Sequence, residues 1–141
     1  MLPWSFETFG ISFENMKDNS CEVMMAWDKT LVTFPITTDV DTKVMKQIET
    51  IMKSDGRPYF NAAAYYAENG KDLNQAIVWF DKAIEQNPKA YWVYYQKAKA
   101  LAKQGKKTEA MTVSMKSMEL AKEGKNDDYV LLNEKLQKDL K

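Results

Sequence analysis

Histidine is missing from this sequence altogether, and cysteine occurs once, at Cys21. The first absence removes the commonest general base, the usual activator of a serine or cysteine nucleophile, and the commonest zinc ligand. The second rules out an internal disulfide and leaves no thiolate cluster for a metal. With no base beside it in sequence, Cys21 reads as a small half-buried strand residue rather than a nucleophile. Glycine is scarce too: five residues, scattered over expected turns and helix ends, and no glycine-rich loop leads into a Lys-Ser or Lys-Thr pair that would cradle a phosphate. The carboxylate pairs Asp39/Asp41 and Asp127/Asp128 fall at expected helix starts, where negative charge favours the helix dipole, so capping accounts for them better than acid–base chemistry. The expectation is a chain with no catalytic activity, cofactor or metal of its own.

Long apolar runs are also lacking. No window approaches the roughly 18 consecutive apolar residues of a membrane span, and residues 1–10 lack the basic start and apolar run of a signal peptide. The sequence as it stands therefore reads as soluble, with no membrane insertion and no address, and its compartment is undetermined. Charge of one sign is absent overall, since 20 basic residues match 20 acidic ones, so no bulk field draws in nucleic acid or an anionic membrane. The halves differ: up to Gly56 there are 9 acidic against 5 basic residues, and after it 11 against 15. Eight lysines between Lys97 and Lys125 face three glutamates. Spread around amphipathic helices, they read as a solvated face rather than a nucleic-acid surface. What the chain does have is 45% apolar and 28% charged residues, the composition of a folded globular protein long enough to bury a core.

Before Gly56 the pattern is first that of strands. Phe9 to Phe13 and Cys21 to Trp27 alternate, and Leu31 to Ile36 is a β-branched and aromatic run after Asp28-Lys29-Thr30. Three short antiparallel strands are expected in residues 1–38. In the second strand Val23, Met25 and Trp27 share one face and Glu22, Met24 and Ala26 the other; both carry apolar residues, so both should be covered. Three strands make a marginal sheet, so the segment should lean on helices or on another chain, which admits a homodimer through strand edges. The abrupt start at Met1-Leu2-Pro3-Trp4 also suits the tail of a larger β domain, and a complete small protein stands beside that reading. A helical domain is expected over 39–141. Its first helix is capped by Thr37-Thr38-Asp39, carries Val40, Val44, Ile48, Ile51 and Met52 at helical spacing, and stops near Ser54-Asp55-Gly56.

The chain then repeats itself. Tyr59 falls on Tyr94, Ala63 on Ala98 and Gly70 on Gly105 at 35 residues, and Ala76 on Ala110 at 34. A period of this length signals helix hairpins that bury their apolar faces on one another. Tyr59, Ala62, Ala63, Tyr66, Gly70, Ala76, Phe80, Ala83 and Pro88 resemble the tetratricopeptide pattern in a first unit. The second unit keeps Tyr94, Ala98, Leu101, Gly105 and Ala110 but departs at Lys97, Ser114, Ser117 and Lys122. The small residues stand where helices cross, and Asn87-Pro88 ends one hairpin and sets the chain for the next. Asp127-Asp128 should cap a last helix with Val130, Leu131 and Leu136 inward. The resemblance implies a mainly α fold, a tetratricopeptide-like α-α superhelix of about six helices behind the strands, acting as a protein-interaction or structural module. The whole chain, with the Trp27-Asp28-Lys29 turn ahead of such helices, is also similar to an uncharacterised bacterial family. That likeness implies an alternative: the accessory C-terminal part of a larger exported β-sandwich protein, periplasmic or secreted, that binds a carbohydrate or other small ligand.

Tetratricopeptide stacks bind partners along the first helix of each unit. By register the resemblance places Arg57, Phe60 and Ala64 there in the first unit, and Trp92, Tyr95, Lys99 and Lys103 in the second. Aromatic anchors beside lysines suit an acidic peptide, extended or helical. The lysine and asparagine set with which some members clamp a terminal carboxylate is not at these positions. Packing of Trp92 and Tyr95 on the helix from Val40 to Lys53 or on the hairpin is the competing and preferred reading.

Overall fold

The chain divides into two compact units, Met1–Glu49 and Thr50–Lys141, and the computed structural model describes residues 5–53 and 58–141. The change from strand to helix falls earlier than that division, between Thr37 and Val40.

The first unit holds a three-stranded antiparallel sheet in the order β1 (Phe6–Lys17), β2 (Ser20–Asp28), β3 (Thr30–Thr37). Both connections are two-residue turns: Lys17 pairs with Ser20 around Asp18-Asn19, and Trp27 with Thr30 around Asp28-Lys29. Asp28 takes a positive φ of 47°, a conformation that a short polar side chain tolerates and a tight hairpin needs. β2 and β3 pair without a break, whereas β1 slips register between Phe6 and Gly10 and again between Glu14 and Lys17. Asn15, at φ 49°, occupies the second irregularity and donates a 2.7 Å hydrogen bond to Glu22.

Register fixes two unlike faces. Val23 pairs with Phe13 and Phe34, and Met25 with Ile11 and Val32, so the odd positions of β2 share their face with apolar residues from both neighbours. Glu22 pairs with Glu14 and Pro35, and Met24 with Ser12 and Thr33, which makes the other face mixed and largely polar. The expectation that both faces are covered is not met. Of the described strand residues only Val23 and Ala26, on opposite sides of the central strand, are buried. They are shielded by the edge strands, while the edge strands' own apolar side chains stay open.

α1 (Val40–Ile51) follows, and Asp39 starts it by accepting a 3.0 Å hydrogen bond from the Thr42 amide. The Thr42 side chain, and after it that amide, hold the Asp39 carboxyl below its usual pKa. Val44, Met45 and Ile48 are half-buried, a stripe at helical spacing. The expected stop at Ser54-Asp55-Gly56 lies outside the described residues.

The helical unit contains α2 (Tyr59–Glu68), α3 (Leu73–Gln86), α4 (Tyr91–Lys103), α5 (Lys107–Glu123) and α6 (Asp127–Leu140). Each helix packs on its successor, and α4 also touches α2 on one side and α6 on the other. Close approach follows from side-chain size: Ala62, Ala63, Ala76, Ala83, Ala98 and Ala110 are all buried, as their places in the repeat require. Phe80, fully buried, is the largest buried side chain of the cluster formed by α2, α3 and α4. A smaller cluster around Leu101, Ala110 and Leu140 shares Ile77 with it, so the apolar core runs on from one hairpin to the next.

The turns repeat as well. Gly70 (φ 65°) and Gly105 (φ 78°) take the left-handed conformation after α2 and α4, and the next amides, of Lys71 and Lys106, bond back to Tyr66 and Leu101. The turn after α5 has the same bond, from the Asn126 amide to Ala121, but its left-handed residue is Lys125 (φ 53°). Gly124 precedes it at an ordinary φ, and a Cβ there would stand 3.2 Å from the Tyr91 ring. Asn87 is extended ahead of Pro88, as proline demands of the residue before it.

Two expectations need correction. The cap of α6 is Asn126, which accepts from the Tyr129 amide at 3.1 Å, while Asp127 and Asp128 lie in the first turn. Leu131 points outward, because Asn133 and Leu140 hold the buried side of α6. Ser114 and Ser117, where the second unit departs from the repeat pattern, are both fully buried and bonded to Asn133, itself fully buried. Ser114 donates to Asn133 at 2.8 Å, Asn133 donates to Ser117 at 2.9 Å and to the Tyr129 carbonyl at 2.7 Å, and Ser117 donates to the Tyr91 carbonyl at 2.8 Å. The Gln137 amide completes the set on Ser114. Hydrogen bonds thus join α5 to α6 where a standard unit would use apolar contacts. Lys97, at a place expected to be apolar, reaches Asp81 of α3 at 2.6 Å.

Candidate functional site

Along α4, Trp92, Tyr95, Lys99 and Lys103 recur at spacings of three, four and four, which places them in one stripe. Trp92 is half-buried, packed on the cluster around Phe80 and set edge-on to Tyr91 with ring centres 5.0 Å apart. Tyr95 meets Tyr129 of α6 edge-on at 5.7 Å, and Tyr129 in turn meets Tyr91 at 5.0 Å. Three tyrosines from α4 and α6 therefore brace one another. Asn126 donates to the Tyr91 hydroxyl at 3.1 Å and fixes the same corner.

The Lys99 ammonium stands 5.6 Å from the Tyr95 ring centre, within cation–π range. Lys103 donates to the Ala67 carbonyl in the last turn of α2, where the helix dipole favours a cation. On α2, Phe60 is half-buried and tilted against Phe80 at 6.3 Å. Ala64 is half-buried, and Arg57 lies outside the described residues. Burial holds the Tyr95 hydroxyl above its usual pKa, with a further contribution from Tyr129. Burial and then Tyr91 do the same for Tyr129. Both phenols stay protonated at neutral pH, and the Lys99 ammonium lies over the Tyr95 ring. Such a stripe can receive carboxylates and apolar groups together. Among the described residues, no group of three or more His, Cys, Asp or Glu side chains is placed to hold a metal ion, and no helix is long and apolar enough to cross a membrane.

The structure thus brings Trp92, Tyr95, Lys99 and Lys103 onto one helix face and backs Tyr95 with a third inner helix. Both rings pack within the helical unit, on Tyr91, Tyr129 and the Phe80 cluster. Tyr91, Tyr129 and Asn126 were not picked out from the sequence. The repeat held the signal: Tyr129 stands 35 residues after Tyr94, and Asn133 35 after Ala98. Carrying the period once more assigns α6 as the first helix of a further unit.

Models described as tetratricopeptide repeat match residues 57–89 and 79–112. The helices form a tetratricopeptide-like repeat. The second match ends two residues before Ser114, where the tetratricopeptide size pattern gives way to the serine–asparagine network. No curated protein and no solved structure matches the chain.

Proposed function

We propose that the helical unit is a protein-interaction module, without catalytic activity of its own, that holds an acidic peptide segment along α4. The observation that carries this reading is the Tyr95–Lys99 pair, braced from behind by Tyr129. A braced ring loses little freedom on binding, and a lysine beside it sets the orientation of a carboxylate. Lys103 extends the basic line toward α2, and Phe60 and Trp92 supply apolar contact. Tetratricopeptide repeats commonly serve such roles, and the pairing of α4 with α6 supplies the third inner helix that a groove needs.

The test is fluorescence anisotropy with a labelled peptide of alternating glutamate and leucine, against the same peptide with lysine for glutamate. The acidic peptide should bind, weaken with salt, and lose about tenfold in affinity on Lys99→Glu, the size expected when a favourable charge contact becomes repulsive. Equal binding of both peptides, or binding unmoved by Lys99→Glu, overturns the reading.

A further inference from the structure

The face of the sheet that carries Val23 is apolar on all three strands and open to solvent. Phe9, Phe13, Trp27 and Phe34 are 61%, 60%, 41% and 41% exposed, and Ile11 and Ile36 are 59% and 45% exposed. Phe9 and Trp27 sit with ring centres 6.1 Å apart, so the rings form a patch rather than isolated side chains. The three segments Phe9–Phe13, Cys21–Trp27 and Thr30–Ile36 place no charged residue on this face. Glu14 and Glu22 lie on the opposite one.

We propose that this face is the interface of a homodimer, in which two copies stack sheet on sheet. Area supports a second copy. An aromatic side chain offers about 150–250 Å², so the four rings alone present roughly 400 Å². With the aliphatic residues the face reaches about 600 Å², at the top of what a monomer ordinarily leaves exposed. Two such faces bury about 1,200 Å², the lower bound for a stable specific interface. A face without charge meets its own copy without repulsion, and a two-fold axis through the sheet makes the contact self-complementary. Aligned sheets pack about 10 Å apart at about −30°, which lets Val23 and its neighbours interdigitate.

The edges are poorer candidates for self-association. β3 carries Pro35, which has no amide to donate, and β1 is broken by two register shifts with Asn15 in the left-handed conformation. Both devices discourage strand addition.

Sedimentation equilibrium of the full chain over a wide concentration range tests this, with Phe34→Lys, Ile11→Lys and Thr33→Lys as variants. Phe34 and Thr33 are adjacent on β3 and occupy opposite faces of the sheet; Ile11 puts the same charge on β1. The expected result is twice the 16.3 kDa chain mass. Phe34→Lys and Ile11→Lys should each weaken association at least tenfold while helical circular dichroism is kept, and Thr33→Lys should leave it unchanged. A monomer at every concentration overturns the proposal and gives the face to another cover. A dimer weakened equally by Phe34→Lys and Thr33→Lys overturns it in favour of edge pairing, and one indifferent to Phe34→Lys and Ile11→Lys places the contact elsewhere.

Discussion

Phe80 and Phe34 are the same side chain in opposite circumstances. Phe80 is enclosed by residues of α2, α3 and α4, whereas Phe34 lies open on a sheet whose only buried apolar residues among those described are Val23 and Ala26. The contrast extends to the two units. Helices close a core by stacking pairwise on successors, so local sequence supplies both sides of each contact. A three-stranded sheet has no layer of its own to close against, and its hydrogen bonds order it without removing its apolar face from water. The sequence pattern of a strand therefore says which face seeks cover but not what covers it.

The sharpest way to break this comparison is to truncate both phenylalanines. Phe80→Ala should cost about 3–5 kcal/mol, since a large side chain is lost from a filled site, whereas Phe34→Ser should leave the helical thermal transition within about 0.5 kcal/mol of the parent. Calorimetry of the two variants side by side reads both. An equal loss for the two would mean that the sheet shares the helical core. Next in size is Asn133→Ala, which takes from Ser114 its buried acceptor and from Ser117 a donor, leaving them Gln137 and the Tyr91 carbonyl, and should cost about 2 kcal/mol by denaturant titration. Replacing Ser114, Ser117 and Asn133 together by alanine, alanine and leucine should recover part of that loss, because the three fully buried polar side chains are then removed together. Lys125→Gly acts in the other direction: relieving a left-handed non-glycine residue should raise the unfolding free energy by about 1 kcal/mol. The smallest effect is one of pH. Tyr95 and Tyr129 titrate above their ordinary value in the folded chain, so the unfolded chain releases those protons first. Stability is fully present below the ordinary tyrosine value and declines as pH rises past it through the folded ones. The melting temperature should fall in that alkaline window, and the fall should be shallower in Tyr95→Phe.

Much of the helical unit was legible because its signals are local and repeated. Ala63, Ala98, Gly70 and Gly105 mark crossing points and turns that backbone geometry demands, whatever the partner. The same logic misplaced the inward side of α6, since apolar periodicity favours Leu131 and cannot reveal that Asn133 is buried by virtue of bonds to serines on another helix. In the candidate site, Tyr95 and Lys99 were legible from register, but Tyr91 and Tyr129 were not, because bracing depends on how α6 returns to α4. Asp72, which caps α3 by accepting from the Asn74 and Gln75 amides, went unread beside the stronger glycine signal at Gly70. Alternation gave the strands themselves, whereas the register shifts in β1 arise from left-handed and bulged positions that alternation does not encode.

The serine–asparagine lock has a consequence for the behaviour of the protein outside its ground state. Much of the surface that α6 covers on α5 at this lock is made of hydroxyl groups, and the side it presents to them is an amide. When the last helix detaches, water can take over these bonds at once, and little oily surface is bared at this point. Detachment also parts Leu140 from Leu101 and Ala110 and Tyr129 from Tyr91 and Tyr95, so the end of the stack, where it opens ahead of the hairpins, bares apolar surface at those contacts and readily hydrated groups at the lock. In hydrogen exchange it would register as a separate, weaker zone, a loose final page in an otherwise bound book.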